Sequence, residues 1–327
     1  MSVGYAERLS FREDLGGQLG DPELAESSPE ALNAKVIQLA QWIQEASRIV
    51  AFTGAGISTS CGIPDFRGPR GVWTLQREKK PLPAPKVRFA HAVPSVTHQV
   101  LRDLVDWGKL TYIVSQNVDG LHLRSGVPRE KLAELHGNCF AERCPRCSVE
   151  YVRDFEMQTV GFRHTGRTCK CGGRLKDSIL DWEDALPETE LQASEQHASQ
   201  ADLAICLGTS LQITPACNLP LRTKRAGGRI VIINLQKTPK DKQAALVLHA
   251  RCDEVMAGVM GHLGRVIPPF IRTDALVLPG PPAAEGRDPA QAAPLSLPQP
   301  ANRRNDGTLP RTLCSSKRAN ASRLPSF

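Results

Sequence analysis

The sequence predicts an α/β fold, a doubly wound parallel sheet with a small module inserted in it. Three observations carry this. Short apolar runs recur, and each ends in small polar residues: Ile49-Val50-Ala51-Phe52 before Thr53-Gly54-Ala55-Gly56, Leu110 to Val114 before Ser115-Gln116-Asn117, Ala201 to Leu207 before Gly208-Thr209-Ser210, and Arg229 to Ile233 before Asn234-Leu235-Gln236. Such runs read as strands buried on both faces. Stretches with apolar residues at helical spacing lie between them, the pattern of βαβ units. Two close cysteine pairs, Cys144 with Cys147 and Cys169 with Cys171, mark a separate module.

The chain has 327 residues, 41% of them hydrophobic, enough for one large domain or two smaller ones with a sizeable core. Its formal net charge of +7 favours acidic partners such as nucleic acid. No apolar run approaches the roughly 18 residues that would span a membrane. The stretch MSVGYAERLSFREDL lacks an apolar signal core. The expectation is a soluble intracellular protein with no membrane partner, whose 10 cysteines are thiols or metal ligands rather than disulfides.

Residues 1–28 show no sustained period and are expected to form an arm. Ser28-Pro29-Glu30 then opens a helix, with Ser as cap and Pro in the first turn, and Val36, Leu39, Ala40 and Ile43 form its inner face. The first strand and its glycine loop follow. Two glycines directly after a strand let the backbone turn tightly and approach a ligand, and a helix starting there points free N–H groups at a phosphate. Gly-x-Gly alone is equally compatible with a tight turn and no ligand. An ordinary dinucleotide site carries an acid about 20 positions further on, at the end of a second strand. Here that region is Pro64-Asp65-Phe66-Arg67-Gly68-Pro69-Arg70-Gly71-Val72-Trp73, with no strand pattern. This argues against a hydride-transfer dehydrogenase and for a flap that grips and covers a nicotinamide.

A helix is expected from about Pro94 to Trp107, with His98 as a surface or packing residue. After the strand Leu110–Val114 come Gln116, Asn117 and Asp119, at the strand end where open α/β sheets bind ligands. A helical piece over Leu132–Leu135 leads to His136-Gly137-Asn138. A lone histidine is most often a core residue; beside Gly137 and after Gln-Asn-Val-Asp, His136 is a candidate general base, since an imidazole takes a proton near neutral pH. The cysteine pairs, about 20 residues apart, resemble a zinc ribbon, in which tight turns supply two thiolates each; the other reading is a metal-free site. The one-residue gap between Cys169 and Cys171 predicts a tighter second turn. A strand is expected over Val149–Val152, and Cys206 and Cys217 as packing residues. A last helix, Asp253–Leu263, closes the domain. From about Val266 the composition turns Pro-rich, with basic pairs Arg303-Arg304 and Lys317-Arg318, the pattern of a disordered tail. Its basic pairs suit nucleic acid or nuclear localisation; a merely solvated tail fits equally.

GAGIS, GIPDFRG, QNVDGLH, LHGN, the cysteine pairs, GTS and NLQ occur in the order found in sirtuins, the NAD-dependent protein deacylases. The chain resembles that family over about Ala31 to Leu263. PDFRGPRGVW, CPRCSVEYVRD and Ile179-Leu180-Asp181-Trp182-Glu183-Asp184 resemble its class IV branch, most like sirtuin six, with tracts such as Thr238-Pro239-Lys240-Asp241 closer to sirtuin seven. The resemblance implies a Rossmann-like NAD-binding domain over 29–136 and 181–265, a zinc-binding module over 137–180, and a tail over 266–327. It implies an NAD+ site lined by Ala55, Thr59, Asp65, Phe66, Arg67, Trp73, Gln116, His136, Thr209, Ser210, Asn234, Gln236 and Cys252, with Asp65 on the nicotinamide carboxamide. His136 would be the catalytic base, with Asn117 and Asp119 ordering the inner pocket. Cys144, Cys147, Cys169 and Cys171 would hold one structural Zn2+, and Trp182 and Asp184 would lie near the acyl-lysine entry. The class pattern has more residues between its third and fourth cysteines than this chain has. The activity implied is removal of acyl groups from lysines of histone tails, histone H3 among them, in the nucleus, with release of nicotinamide and O-acyl-ADP-ribose. Nucleosomal DNA would be met by the basic surface and tail. Mono-ADP-ribosyl transfer and a low-turnover NAD-sensing scaffold are the alternatives; the latter would not need His136, Asn117 and Asp119 together.

Overall fold

The computed structural model describes residues 2–82, 87, 89–272 and 276–278. Helix α1 (Ser2–Arg8) begins the arm, and α2 (Pro29–Glu45) follows it. The predicted start of α2 is as expected: Ser28 Oγ accepts from Ala31 N (3.2 Å), and Pro29 occupies the first turn. Strand β1 (Ile49–Thr53) runs into a 3₁₀ turn over Ala55–Cys61, where the sequence suggested the start of an α-helix. Short helix α3 (Val72–Arg77) ends the flap.

Helix α4 (Val96–Asp106) leads to β2 (Leu110–Ser115), α5 (Leu121–Arg124) and β3 (Leu132–Glu134). The last of these corrects the helical reading of Leu132–Leu135. Leu132 packs on one face of the sheet, while Ala133 and Leu135 pack within the other face's core. Parallel pairing of Ile113 with Leu132 and Ser115 with Glu134 fixes the register. His98 proves to be a packing residue: it is fully buried, and its Nδ1 accepts from Ser95 N (3.2 Å) in a reciprocal cap.

The small module holds β4 (Ala141–Arg143), β5 (Glu150–Val152), β6 (His164–Thr168) and β7 (Arg174–Asp177). The chain then returns through α6 (Glu188–Gln200), β8 (Leu203–Leu207), α7 (Pro220–Arg225), β9 (Arg229–Ile233), β10 (Leu246–Leu248) and α8 (Cys252–His262). Strand β11 (Leu276–Leu278), within the stretch expected as tail, pairs antiparallel with β5. The Pro-rich runs and basic pairs of that tail lie outside the described residues.

The large sheet has the order β10-β9-β8-β1-β2-β3 and every pairing in it is parallel; the small sheet, β11-β5-β4-β7-β6, is antiparallel. Side chains alternate across the large sheet. Ile49 and Ala51 face the core under α2, α4 and α8, while Val50 and Phe52 face the core under α6 and α7. This is the doubly wound, Rossmann-like arrangement the sequence predicts, with a separate small-sheet module. The winding reverses beside β1, between β8 and β2. In such sheets the crevice beyond the carboxyl ends at that reversal is where ligands bind.

Candidate functional site

A cleft opens at that place. Gly54-Ala55-Gly56 after β1, Gln116-Asn117 after β2, Gly208-Thr209-Ser210 after β8, and Asn234 and Gln236 after β9 form its floor. The close approach these glycines allow is to a neighbouring loop of the chain itself. A Cβ on Gly54 would lie 2.7 Å from Gly208 O, and one on Gly56 2.7 Å from Gly208 Cα. The two loops therefore press backbone on backbone, and no side chain fits between them.

His136 projects into the cleft from the turn after β3. Its Nδ1 lies 3.0 Å from Gln116 O, and a carbonyl only accepts, so Nδ1 carries the proton. Nε2 is left as the free acceptor. Burial pulls the imidazole below its ordinary range, against the opposing pull of the Gln116 carbonyl. The ring is therefore neutral at pH 7, the form a base needs. The turn itself is braced: Asn138 Nδ2 donates to both carboxyl oxygens of Glu134 (2.9 and 3.1 Å), and Leu180 N donates to His136 O (3.1 Å).

Asn117 Nδ2 donates to Gly54 O (3.1 Å), which ties the end of β2 to the glycine loop. Beneath it, Ser58 Oγ donates to Asp119 Oδ2 (2.7 Å), and Asp119 Oδ1 accepts from Leu121 N (3.0 Å). Asp119 is thus a buried anchor of the loop and not a wall residue. Deeper still, His122 Nε2 meets Thr53 Oγ1 (2.9 Å), and its ring lies 4.8 Å from that of His98.

The flap supplies the roof. The rings of Phe66 and Trp73 pack at a tilt with centres 4.6 Å apart, Tyr5 of α1 meets Phe66 edge-on at 5.9 Å, and Trp182 lies 4.9 Å behind Trp73. Burial raises the Asp65 carboxyl above the usual carboxylate range, although the Gly68 N–H pulls the other way. The Arg67 guanidinium donates to the carbonyls of Leu15 (2.9 Å) and Gly16, and so holds the arm against the flap.

Of the residues expected at an NAD site, Ala55, Asp65, Phe66, Arg67, Trp73, Gln116, His136, Thr209, Ser210, Asn234 and Gln236 come together on the wall, with Asn117. Thr59 is exposed and bonds Gly56 O (3.0 Å). Cys252 is buried, its Sγ against Ile233 O (3.6 Å), and is not on the wall. Trp182 reaches the roof only through Trp73, and Asp184 Oδ2 accepts from Asp181 N (2.8 Å). Tyr5, Gln18 and Asp21 of the arm, with Gln212, Ile213 and Lys237, also line the cleft. An aperiodic arm carries no local signal for this. The glutamine and lysine do follow strand-end motifs, which was the one available hint.

The four paired cysteines converge away from the cleft. Their sulfurs all lie within 4.8 Å of one another, with Cys144 and Cys171 at 3.4 Å and Cys147 and Cys169 at 3.5 Å. Tetrahedral zinc with bonds near 2.3 Å needs edges of about 3.8 Å, so the set fits one structural Zn2+. The short second pair closes because Gly172, at φ +82°, makes the turn, and a Cβ on Gly173 would fall 2.5 Å from Cys144 Sγ. The one-residue gap is therefore compatible with a metal site.

The Sir2 family profile matches residues 82–215. The NAD-dependent protein deacetylase SRT1 of Arabidopsis thaliana is 59% identical over 277 residues, 84% of this chain and 58% of that protein. The chain thus spans less than two thirds of this relative's length. The NAD-dependent protein deacetylase Sirt6 of Drosophila melanogaster is 44% identical over 83% of this chain and 87% of its own length. The expected nearness to sirtuin six is therefore exceeded by the likeness to the plant protein. A solved Sir2 structure with a p53 peptide and NAD+ is 31% identical, with TM-score 0.54, covering 69% of this chain and 98% of that one. The motif loops, the cleft they build and these relatives agree: the chain belongs to the Sir2 family, the sirtuins.

Proposed function

We propose that the chain is an NAD-dependent protein-lysine deacylase of the class IV, sirtuin-six-like kind. The observation that carries this is His136, neutral, fixed by Gln116 O, and free at Nε2 within a cleft roofed by Phe66 and Trp73. A protein that only bound a nucleotide would not need a poised base there.

Bound NAD would supply an electrophilic ribose carbon, losing nicotinamide and carrying the acyl group away as O-acyl-ADP-ribose. The chain's own groups supply the rest. The glycine loops and Thr209, Ser210, Asn234 and Gln236 bind and orient. Asp65 accepts from the carboxamide, and Asn117 fixes the inner floor through Gly54. Phe66 excludes water from the reacting face. His136 Nε2 takes the proton from a ribose hydroxyl as that hydroxyl attacks, a service typically worth about 10²- to 10⁴-fold. Closing the reactants together is the larger contribution.

The substrates proposed are acylated lysines of histone tails, histone H3 among them, in nuclear chromatin, with nucleosomal DNA met by the basic surface. The net charge of +7 supports that partner. No helix among the described residues is long and apolar enough to cross a membrane. The test is an NAD-dependent assay on nucleosomes carrying acetylated histone H3, read by mass spectrometry, with His136→Tyr as control. Acetyl loss that the variant lacks supports the reading. ADP-ribose added to protein without acetyl loss would replace it with mono-ADP-ribosyl transfer, and NAD binding with neither outcome would leave a scaffold.

A further inference from the structure

Four thiolates outweigh the charge of one Zn2+, so a closed cysteine site needs hydrogen-bond donors on its sulfurs as well as the metal between them. The turns of this site commit several of their amides elsewhere. In the shortened pair, Cys169 N donates to Gly173 O (2.8 Å) and Gly172 N to Cys169 O (2.9 Å). In the first pair, Cys144 N donates to Val149 O (2.9 Å) and Ser148 N to Cys144 O (2.8 Å). These bonds close the turns on their own carbonyls and leave those N–H groups unable to serve a sulfur. Cys169 is also buried, at 5% exposure, so water is a poor substitute there.

The hydroxyl of Tyr151 reaches that sulfur. Tyr151 lies on β5, in the same small core as Cys144, Cys169 and Leu175, and its oxygen is 3.3 Å from Cys169 Sγ. The partners fix the direction of the bond. Lys170 N donates to the Tyr151 oxygen (3.4 Å), and a metal-binding thiolate only accepts, so the phenol proton points to the sulfur. The ring is held in place. It is buried, its strand pairs with β4 so that Tyr151 stands opposite Glu142, and the Arg153 guanidinium lies 4.7 Å over its face. Glu142 Oε1 in turn accepts from Arg153 Nε (2.9 Å). A cation on the ring face draws charge from the phenol and makes it a stronger donor.

We propose that Tyr151 is a positioning residue of the zinc site. It donates to the Cys169 thiolate, and so helps the module keep its metal across the one-residue gap between Cys169 and Cys171. It is not on the cleft wall, so its effect is on metal retention and not on turnover by the loaded enzyme. Removing a partner of this kind from a metal ligand typically costs about 10- to 100-fold in metal affinity.

The test uses the full chain with Tyr151→Phe, which removes the hydroxyl and keeps the ring under Arg153. Tyr112→Phe, at a buried tyrosine of β2 in the large sheet, is the control. Zinc affinity is read by competition with a chromogenic chelator. Tyr151→Phe should bind zinc about 10- to 100-fold more weakly than wild type, and the control should match wild type. The second readout is the sulfur-to-metal charge-transfer band of each protein loaded with excess Co2+. A hydrogen bond lowers the energy of the sulfur lone pairs, so its loss in Tyr151→Phe should move the band to longer wavelength, which a change of packing alone would not do. Unchanged affinity in Tyr151→Phe would overturn the proposal. So would weakened binding with the band unmoved, which would make Tyr151 a packing residue. A wild type that holds no zinc would overturn the proposal and the metal site together.

Discussion

Replacing Gly137 by alanine should cost the protein more than replacing Gly166, although both glycines sit at φ +83°. That left-handed conformation costs an L-residue about 1–2 kcal/mol at either place. At Gly166 nothing lies within 4 Å of an added Cβ, so the conformational cost is the whole effect. At Gly137 the Cβ would lie 2.6 Å from Ser178 C and 2.7 Å from Ile179 Cα, and closer still to the Ser178 carbonyl oxygen. All of these are backbone atoms, which cannot swing aside. Overpacking of this kind adds about 1–3 kcal/mol. Gly137→Ala should therefore lose about 2–5 kcal/mol in all, and at about 2–4 °C per kcal/mol its Tm should fall well below that of Gly166→Ala. The segment that must yield, the loop after β7, is the one whose Leu180 N bonds His136 O, so His136 should shift as well. A displacement near 1 Å is enough for a loss of about 100-fold in turnover. Thermal unfolding of both zinc-loaded variants, with single-turnover assays, measures each effect. Equal Tm losses, or full turnover in Gly137→Ala, would refute the packing argument.

Other outcomes follow from the same site. Burial lowers the His136 pKa, so the acid limb of the rate profile should fall below pH 6.5, and a limb above pH 7 would remove His136 as the base. Burial also holds His98 at about 4 and His122 at about 3, the His98 charge adding to the second effect. These folded values lie below the unfolded one near 6.5, so the unfolded state binds more protons in acid. Stability should be complete above pH 6.5 and fall as pH drops toward 4, by up to about 1.4 kcal/mol per pH unit for each ring. Urea unfolding at pH 7 and pH 5 reads this; His122→Asn should flatten the slope, and a flat wild-type profile would contradict it. The purified chain should hold about one zinc, and Cys171→Ser should lose it together with cooperative melting of the small module. Full zinc content in that variant would take Cys171 out of the ligand set.

The strands of the large sheet were legible because two-sided burial leaves uninterrupted apolar runs, as in Ile49–Phe52 and Leu203–Leu207. The strand-end motifs were legible for the same reason, since they interrupt those runs. Leu132–Leu135 was misread because three or four residues cannot distinguish a period of 2 from one of 3.6. The side of the sheet each residue faces decides it, and that is a tertiary fact. The arm was opaque on other grounds. Leu15, Gly16 and Leu19 hold their places through backbone carbonyls that Arg67 and Arg77 find, and main-chain acceptors leave no mark on composition. The reason for Gly54 and Gly56 was only half legible. A close approach was foreseen, but their near neighbour within the chain is Gly208 and its loop.

The most direct measurement counts products in a single reaction on an acetyl-lysine peptide with NAD. Nicotinamide released, acetyl groups lost and O-acetyl-ADP-ribose formed should be equal in amount, and all should vanish in His136→Tyr. Nicotinamide release with no loss of acetyl groups, or acetyl loss that proceeds without NAD, would contradict an NAD-dependent deacylase with His136 as its base.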